Sequence, residues 1–285
     1  RHSTLEHKEA ISFYSLKLYR YTFMMHKNNT KLILLTALIF ISNISLAEKA
    51  PFESSYEPLP STNTIFRNAN IYDGEGNEFS ETDLLIKDGK IIAMGTDLPG
   101  SPEFIEVDAS GKWITPGIID IHSHMGVYSA PSVSSSSDGN ESTSPITADV
   151  WAEHSIWTQD PQFALALKGG VTTFHVLPGS ANLIGGRGVT AKNLQRNTIN
   201  SMKFPNAPHT LKMACGENPK RVYGNRKQAP STRMGNIAGY RKAWIEAESY
   251  LSRLDEYESK SDEAKEIGYK PKRDLELETL AGVLR

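Results

Sequence analysis

Two histidines separated by one residue, His122 and His124, stand at the end of the apolar run Ile118-Ile-Asp-Ile121. Side chains at i and i+2 of a strand leave from one face, so both rings can turn toward a shared point while Ser123 turns away. Neutral imidazole nitrogens are ligands for borderline ions such as zinc, and two of them make half of a tetrahedral set. Asp120 has the same parity and is placed to orient one of the rings from behind. A bare pair of this kind also occurs as solvated or core histidines. Here the turn signal Pro116-Gly117 and the strand-like run that follows it favour the metal reading.

Other residues carry weaker signals. His175 lies inside a second, β-branched run from Val171 to Leu177 and reads as a hydrogen-bonded core histidine. His209, between Pro208 and Thr210, reads as a loop residue. Gly185-Gly-Arg-Gly188 has neither the Gly-Lys-Ser/Thr ending of a phosphate loop nor a dinucleotide fingerprint, so a tight turn is expected. Arg187 within it is a candidate partner for a substrate carboxylate. His154, in Trp151-Ala-Glu-His-Ser-Ile-Trp157, is a candidate substrate contact.

The segment Thr115-Pro-Gly-Ile-Ile-Asp-Ile-His-Ser-His-Met-Gly126 resembles the first barrel strand of the amidohydrolase superfamily of metal-dependent hydrolases. Two later stretches, Gly169-Gly-Val-Thr-Thr-Phe-His-Val-Leu-Pro-Gly-Ser-Ala-Asn182 and Leu211-Lys-Met-Ala-Cys-Gly-Glu-Asn-Pro-Lys-Arg-Val-Tyr-Gly224, are similar to its imidazolonepropionase-like branch. The resemblance implies a (β/α)8 TIM barrel beside a small β-sandwich, one or two divalent metal ions, most commonly zinc, and water-mediated cleavage of a carbon-nitrogen bond in a small-molecule substrate. It also implies a further ligand from a mid-barrel strand, either a carboxylated lysine or a glutamate. Lys212 and Glu217 compete for that role. They have opposite parity in a regular strand, and the turn-like Gly216-Glu217-Asn218-Pro219 favours Glu217, although an acid at a helix start is the structural alternative. A deaminase on the same scaffold and a non-catalytic periplasmic binding protein are the competing functions.

The elements that would hold these groups follow from periodicity. Residues 64–115 read as short strands and tight turns, with a hairpin through Asp88-Gly89 and a pairing of Phe104–Val107 with Lys112–Ile114: the N-terminal part of a β-sandwich. After residue 116 strands and helices alternate. Asp160 caps a helix opened by Pro161 and closed by Gly169-Gly170, and Leu211 to Cys215 is a third or fourth strand, so a parallel sheet is expected. A complete barrel takes about 250 residues, whereas residues 116–285 number 170. About the first half of a barrel is therefore expected, with the general base beyond residue 285 and the chain inactive as it stands. Ser129 to Ser144, directly after the histidine pair, reads as a lid or as low-complexity disorder. From Gly235 onward the chain reads as an amphipathic helix, with a solvated stretch at residues 259–272.

Composition and charge bound the rest. A formal charge of −2 and 31 basic residues spread along the chain, without an aromatic-interleaved basic motif, argue against nucleic acid. Residues 25–47 have the layout of a secretory signal: Lys27 and Lys31, an apolar run from Leu32 to Leu46, and Ser45-Leu46-Ala47 before Glu48. Fifteen apolar residues fall short of the roughly 20 that a spanning helix needs. Cleavage, a periplasmic product and no lasting membrane anchor are expected. Residues 1–24 precede the start at Met25 and are set aside, and 48–63 form a linker. The single cysteine, Cys215, excludes an intrachain disulfide. A homo-oligomer of the whole enzyme is compatible with the resemblance.

Overall fold

The computed structural model of the chain describes residues 52–285. The stretch 1–24, residues 25–47 that read as an export signal, and the start of the linker lie outside the described residues. Among the described residues no helix is long and apolar enough to cross a membrane.

Residues 64–114 form one five-stranded sheet. Strands β1 (Thr64–Tyr72), β2 (Glu78–Lys87), β3 (Lys90–Gly95) and β4 (Ile105–Asp108) lie in the order β3-β2-β1-β4, and β5 (Trp113–Ile114) also joins β1. The β2–β3 hairpin turns at Asp88 and Gly89, both at positive φ, as the Asp-Gly pair predicts. The expected β4–β5 pairing does not form. Both strands run parallel to β1, end to end along it: Thr64–Arg67 pairs with Ile105–Asp108, and Asn70–Ile71 with Trp113–Ile114. The reason is a bulge between them. Asn68 sits at φ 56° and gives its N–H to the buried Asp83 carboxylate instead of a strand partner.

The second sheet has the order β6-β7-β8-β9, formed by β6 (Ile118–Ser123), β7 (Val171–Val176), β8 (Ile184–Lys192) and β9 (Thr210–Met213). Its directions are mixed: β6 and β7 are parallel, whereas β8 is antiparallel to both β7 and β9. The all-parallel expectation is corrected by β8, the segment read as a tight turn. Its glycines hid the strand, because pattern reading takes Gly as a breaker, while here they sit where neighbouring groups crowd the backbone.

Helices cover one face of this sheet. Asp160 caps α1 (Pro161–Lys168) by accepting from the Gln162 N–H, and it also accepts from the N–H groups of Gly126 and Ala130. One carboxylate thus joins the helix to the segment after the histidine pair. Phe163 of α1 packs on Phe174 of β7, within a core that includes Val127, Val176, Val189 and Met202. After α2 (Glu217–Asn225), α3 (Arg233–Glu258) lays Tyr240, Ala243, Trp244 and Ala247 against Leu183, Ile184 and Leu211, joined by Leu280 of α5 (Leu275–Leu284). A short α4 (Asp262–Ile267) lies in the stretch read as solvated.

Candidate active site

Strand β6 delivers His122 as its penultimate residue, and His124 follows one residue past its end. The two rings are 5.3 Å apart and nearly perpendicular, on one side of the strand. His124 is held from behind: its Nδ1 lies 2.9 Å from the carbonyl oxygen of Leu177, just past β7. That contact needs the proton on Nδ1 and leaves Nε2 with its lone pair. Asp120 does not orient a ring. Its Oδ1 accepts the backbone N–H of His122 at 3.1 Å, because a short Asp side chain reaches its own backbone two residues on.

Lys212 arrives from β9, and its Nζ stands 3.5 Å from His122 Nε2. The charge on Lys212, then burial and His124, press the His122 imidazole below its ordinary pKa, and burial presses the Lys212 amine down. Both shifts favour the neutral nitrogen. Glu217 is elsewhere. It opens α2 with its side chain 82% exposed, 3.9 Å from Arg221. Strand β9 stops at Met213, so Glu217 falls past the sheet and onto a helix start, where the dipole favours an acid. Among the described residues no three side chains of His, Cys, Asp and Glu gather around a common point. Lys212 is what makes a third donor beside the histidines.

Both ring nitrogens of the buried His175 are engaged, Nδ1 with Thr190 Oγ1 at 2.9 Å and Nε2 with Thr210 Oγ1 at 2.7 Å. Arg187 is occupied by protein groups: its guanidinium lies 4.4 Å over the Trp151 ring and its Nε donates to Thr279. His154 stacks on the same Trp151, with Phe52 edge-on to it. With Trp151, Asp138, Glu141 and Asp149 it lines a cavity of 430 Å³. His122, His124 and Lys212 do not line that cavity; its lining includes Val127, whose N–H donates to the His124 carbonyl, and Pro178, next to Leu177. Its rim is the serine-rich segment after the pair, which is tied down. Gly179 donates to the Gly139 carbonyl, Asn182 to those of Glu141 and Ser144, and Asn140 to the Tyr128 hydroxyl beside His124.

No family model matches the chain. It is 35% identical over 254 residues to amidohydrolase tasK of Hapsidospora irregularis, covering 78% of this chain and 26% of that protein. The crystal structure of an amidohydrolase from Thermotoga maritima matches it with a TM-score of 0.69 and 37% identity, over 78% of this chain and 55% of that one. The chain belongs to the amidohydrolase superfamily. A further superfamily relative, a dihydroorotase of Lactobacillus helveticus, is 39% identical over 61 residues, 21% of this chain and 13% of that protein. The chain thus spans about a quarter of tasK and just over half of the Thermotoga amidohydrolase.

Within this superfamily the donor set can be tested for a cation. His122 and His124 bring two ring nitrogens and Lys212 an amine to one side of the sheet, and burial lowers the pKa of both His122 and Lys212, away from the protonated forms that would repel a metal. The Leu177 carbonyl fixes one ring in the tautomer that leaves Nε2 free. These residues fit a divalent ion.

Proposed function

We propose that the protein is a metal-dependent hydrolase that cleaves a carbon-nitrogen bond in a small amide, cyclic amide, N-acyl or dipeptide-like substrate. The observation that carries the reading is the approach of Lys212 to His122 beside His124, three donors from two strands that are distant in sequence. Its membership in a superfamily with amidohydrolases and dihydroorotases supports the same bond class. The scaffold is read as part of a (β/α)8 barrel, with the five-stranded sheet contributing to a sandwich beside it.

In this reading His122 and His124 would hold the metal through ring nitrogens and Lys212 through a carbamate oxygen, formed when its neutral amine adds carbon dioxide and loses a proton, in place of the expected Glu217. A divalent ion at such a site supplies water of lowered pKa and polarises a carbonyl. The chain's own groups shape the site. Leu177 keeps the proton of His124 on Nδ1, Asp120 anchors the backbone of His122, and the 430 Å³ cavity walled by Trp151, His154 and the serine-rich segment admits a small substrate. Export to a periplasmic compartment after cleavage near Ala47 belongs to the same proposal.

The test is zinc content together with hydrolysis of a panel of hydantoins, dihydropyrimidines and N-acyl amino acids. His122→Ala and Lys212→Ala are expected to lower zinc occupancy, and Glu217→Gln to leave it at the wild-type level. Full occupancy in both of the first two variants would refute the ligand assignment.

A further inference from the structure

The amine of Lys212 comes from a strand that the backbone ladder holds loosely. Strand β9 has four residues, and its register with β8 shifts between Ile184 and Gly186, the latter being the residue opposite Lys212. Four residues beside an irregular ladder are a weak constraint on a side chain that must meet another group to within a fraction of an ångström. A second tie crosses the same sheet. His175 on β7 is the ladder partner of Thr190 on β8, and its ring bonds that hydroxyl through Nδ1. Through Nε2 it continues over β8 to the hydroxyl of Thr210, two strands away.

The crossing point is Gly188, the ladder partner of Thr210. A Cβ there would lie 2.6 Å from His175 Nε2 and 2.6 Å from Thr210 Oγ1, so any other residue would occupy the space that the hydrogen bond uses. Thr210 and Lys212 are i and i+2 on one strand and share a face. Holding the Thr210 hydroxyl therefore fixes the height and roll of the residue pair that presents the amine. The ring side of the tie is the buried one: His175 is buried, so a ring nitrogen left without its partner would be cut off from most of the solvent, while Thr190 is half-buried and Thr210 exposed.

We propose that His175 is a positioning residue: a cross-strand tie from β7 over Gly188 to Thr210 that sets Lys212 against His122. It touches neither metal nor substrate. The inference rests on Lys212 as a ligand for its consequence, but the tie itself can be read without metal.

Two measurements on the full chain separate these layers. The first is the rate at which an amine-reactive reagent labels Lys212 in metal-free protein, followed by peptide mass spectrometry. The second is zinc affinity by titration. Thr210→Val removes the hydroxyl that meets His175 Nε2 and leaves His122, His124 and Lys212 untouched. It is expected to speed labelling of Lys212 and to weaken zinc binding by roughly tenfold or more, the usual cost of losing a group that supports a ligand. Thr210→Ser keeps the hydroxyl and is expected to behave as wild type in both. Gly188→Ala, which displaces the ring without altering either partner, is expected to match Thr210→Val and serves if that variant folds poorly. Unchanged labelling in both Thr210→Val and Gly188→Ala would overturn the positioning role, whatever zinc does. Wild-type zinc affinity in Lys212→Ala, with faster labelling in Thr210→Val, would instead overturn the ligand reading and leave the tie standing.

Discussion

At the scale of single residues, this protein shows how far a carboxylate's role depends on what the backbone offers it. Asp120, Asp160 and Asp83 all accept main-chain N–H groups, the first of them from His122 itself. Asp83 is buried and accepts from Asn68 N–H, Leu98 N–H and the Arg67 guanidinium, the last at 2.7 Å. Burial alone would raise its pKa, but the hydrogen bonds from Arg67, Asn68 and Leu98 outweigh that and hold it below the ordinary value. A depressed folded-state pKa gives stability that is present above the unfolded value and lost as pH falls through the folded one. Asp83→Ala is therefore expected to cost roughly 1–3 kcal/mol at neutral pH, the penalty for stranded donors. The difference from wild type should shrink as pH drops below about 3.9, the unfolded carboxylate value. Urea unfolding across pH checks both; a pH-independent gap would contradict the account.

The same scale shows what was legible at the site. The spacing of His122 and His124 announces a shared face, and the structure brings the two rings together on one side of β6. The choice between Lys212 and Glu217 was not legible, because parity says only that the two point apart. Which side is inward depends on Leu211, which packs against the α3 core and so turns Thr210 and Lys212 the other way. That partner lies outside the local sequence. His175 was readable as a hydrogen-bonded core residue, but its two hydroxyl partners lie 15 and 35 residues downstream, beyond any local pattern.

At the scale of elements, β8 is where periodicity misled. Gly185, Gly186 and Gly188 read as a turn, yet they sit inside a strand flanked by β7 and β9. Glycine is needed there for space and for conformation. Gly186 lies at φ 109°, and a Cβ on it would fall 2.2 Å from the carbonyl oxygen of Val150. Neither the angle nor the contact can relax without moving backbone. Gly186→Ala is expected to destabilise the protein by about 1–3 kcal/mol, the usual cost of a side chain held in a disfavoured backbone region. A chemical denaturation midpoint equal to wild type would show that the strand is more pliant than described. The helices were easier to read, since Asp160-Pro161 and the closing glycine pair are local signals of start and stop. The mixed sheet was not, because strand direction is decided by connections and not by composition.

At the scale of the whole molecule, the apolar character of β6 is only partly used. Ile118, Ile119 and Ile121 are 52%, 62% and 77% exposed, and among the described residues β6 pairs with β7 alone. An exposed apolar edge strand is a template for pairing with another chain. Self-association that rises with protein concentration is expected in solution. Ile119→Lys with Ile121→Lys should reduce it without changing the far-ultraviolet circular dichroism; sedimentation velocity makes the comparison. Equal association in wild type and variant would place the contact elsewhere. The site stands at the end of this strand, so solubility and metal binding are best measured on the same samples.

The most direct measurement is anomalous diffraction at the zinc edge from crystals of the chain grown with zinc. A peak bounded by His122 Nε2, His124 Nε2 and the carboxylated end of Lys212 is expected, with Glu217 pointing to solvent. A peak held by Glu217, or two histidine rings with no peak between them and Lys212 turned away, would contradict that assignment.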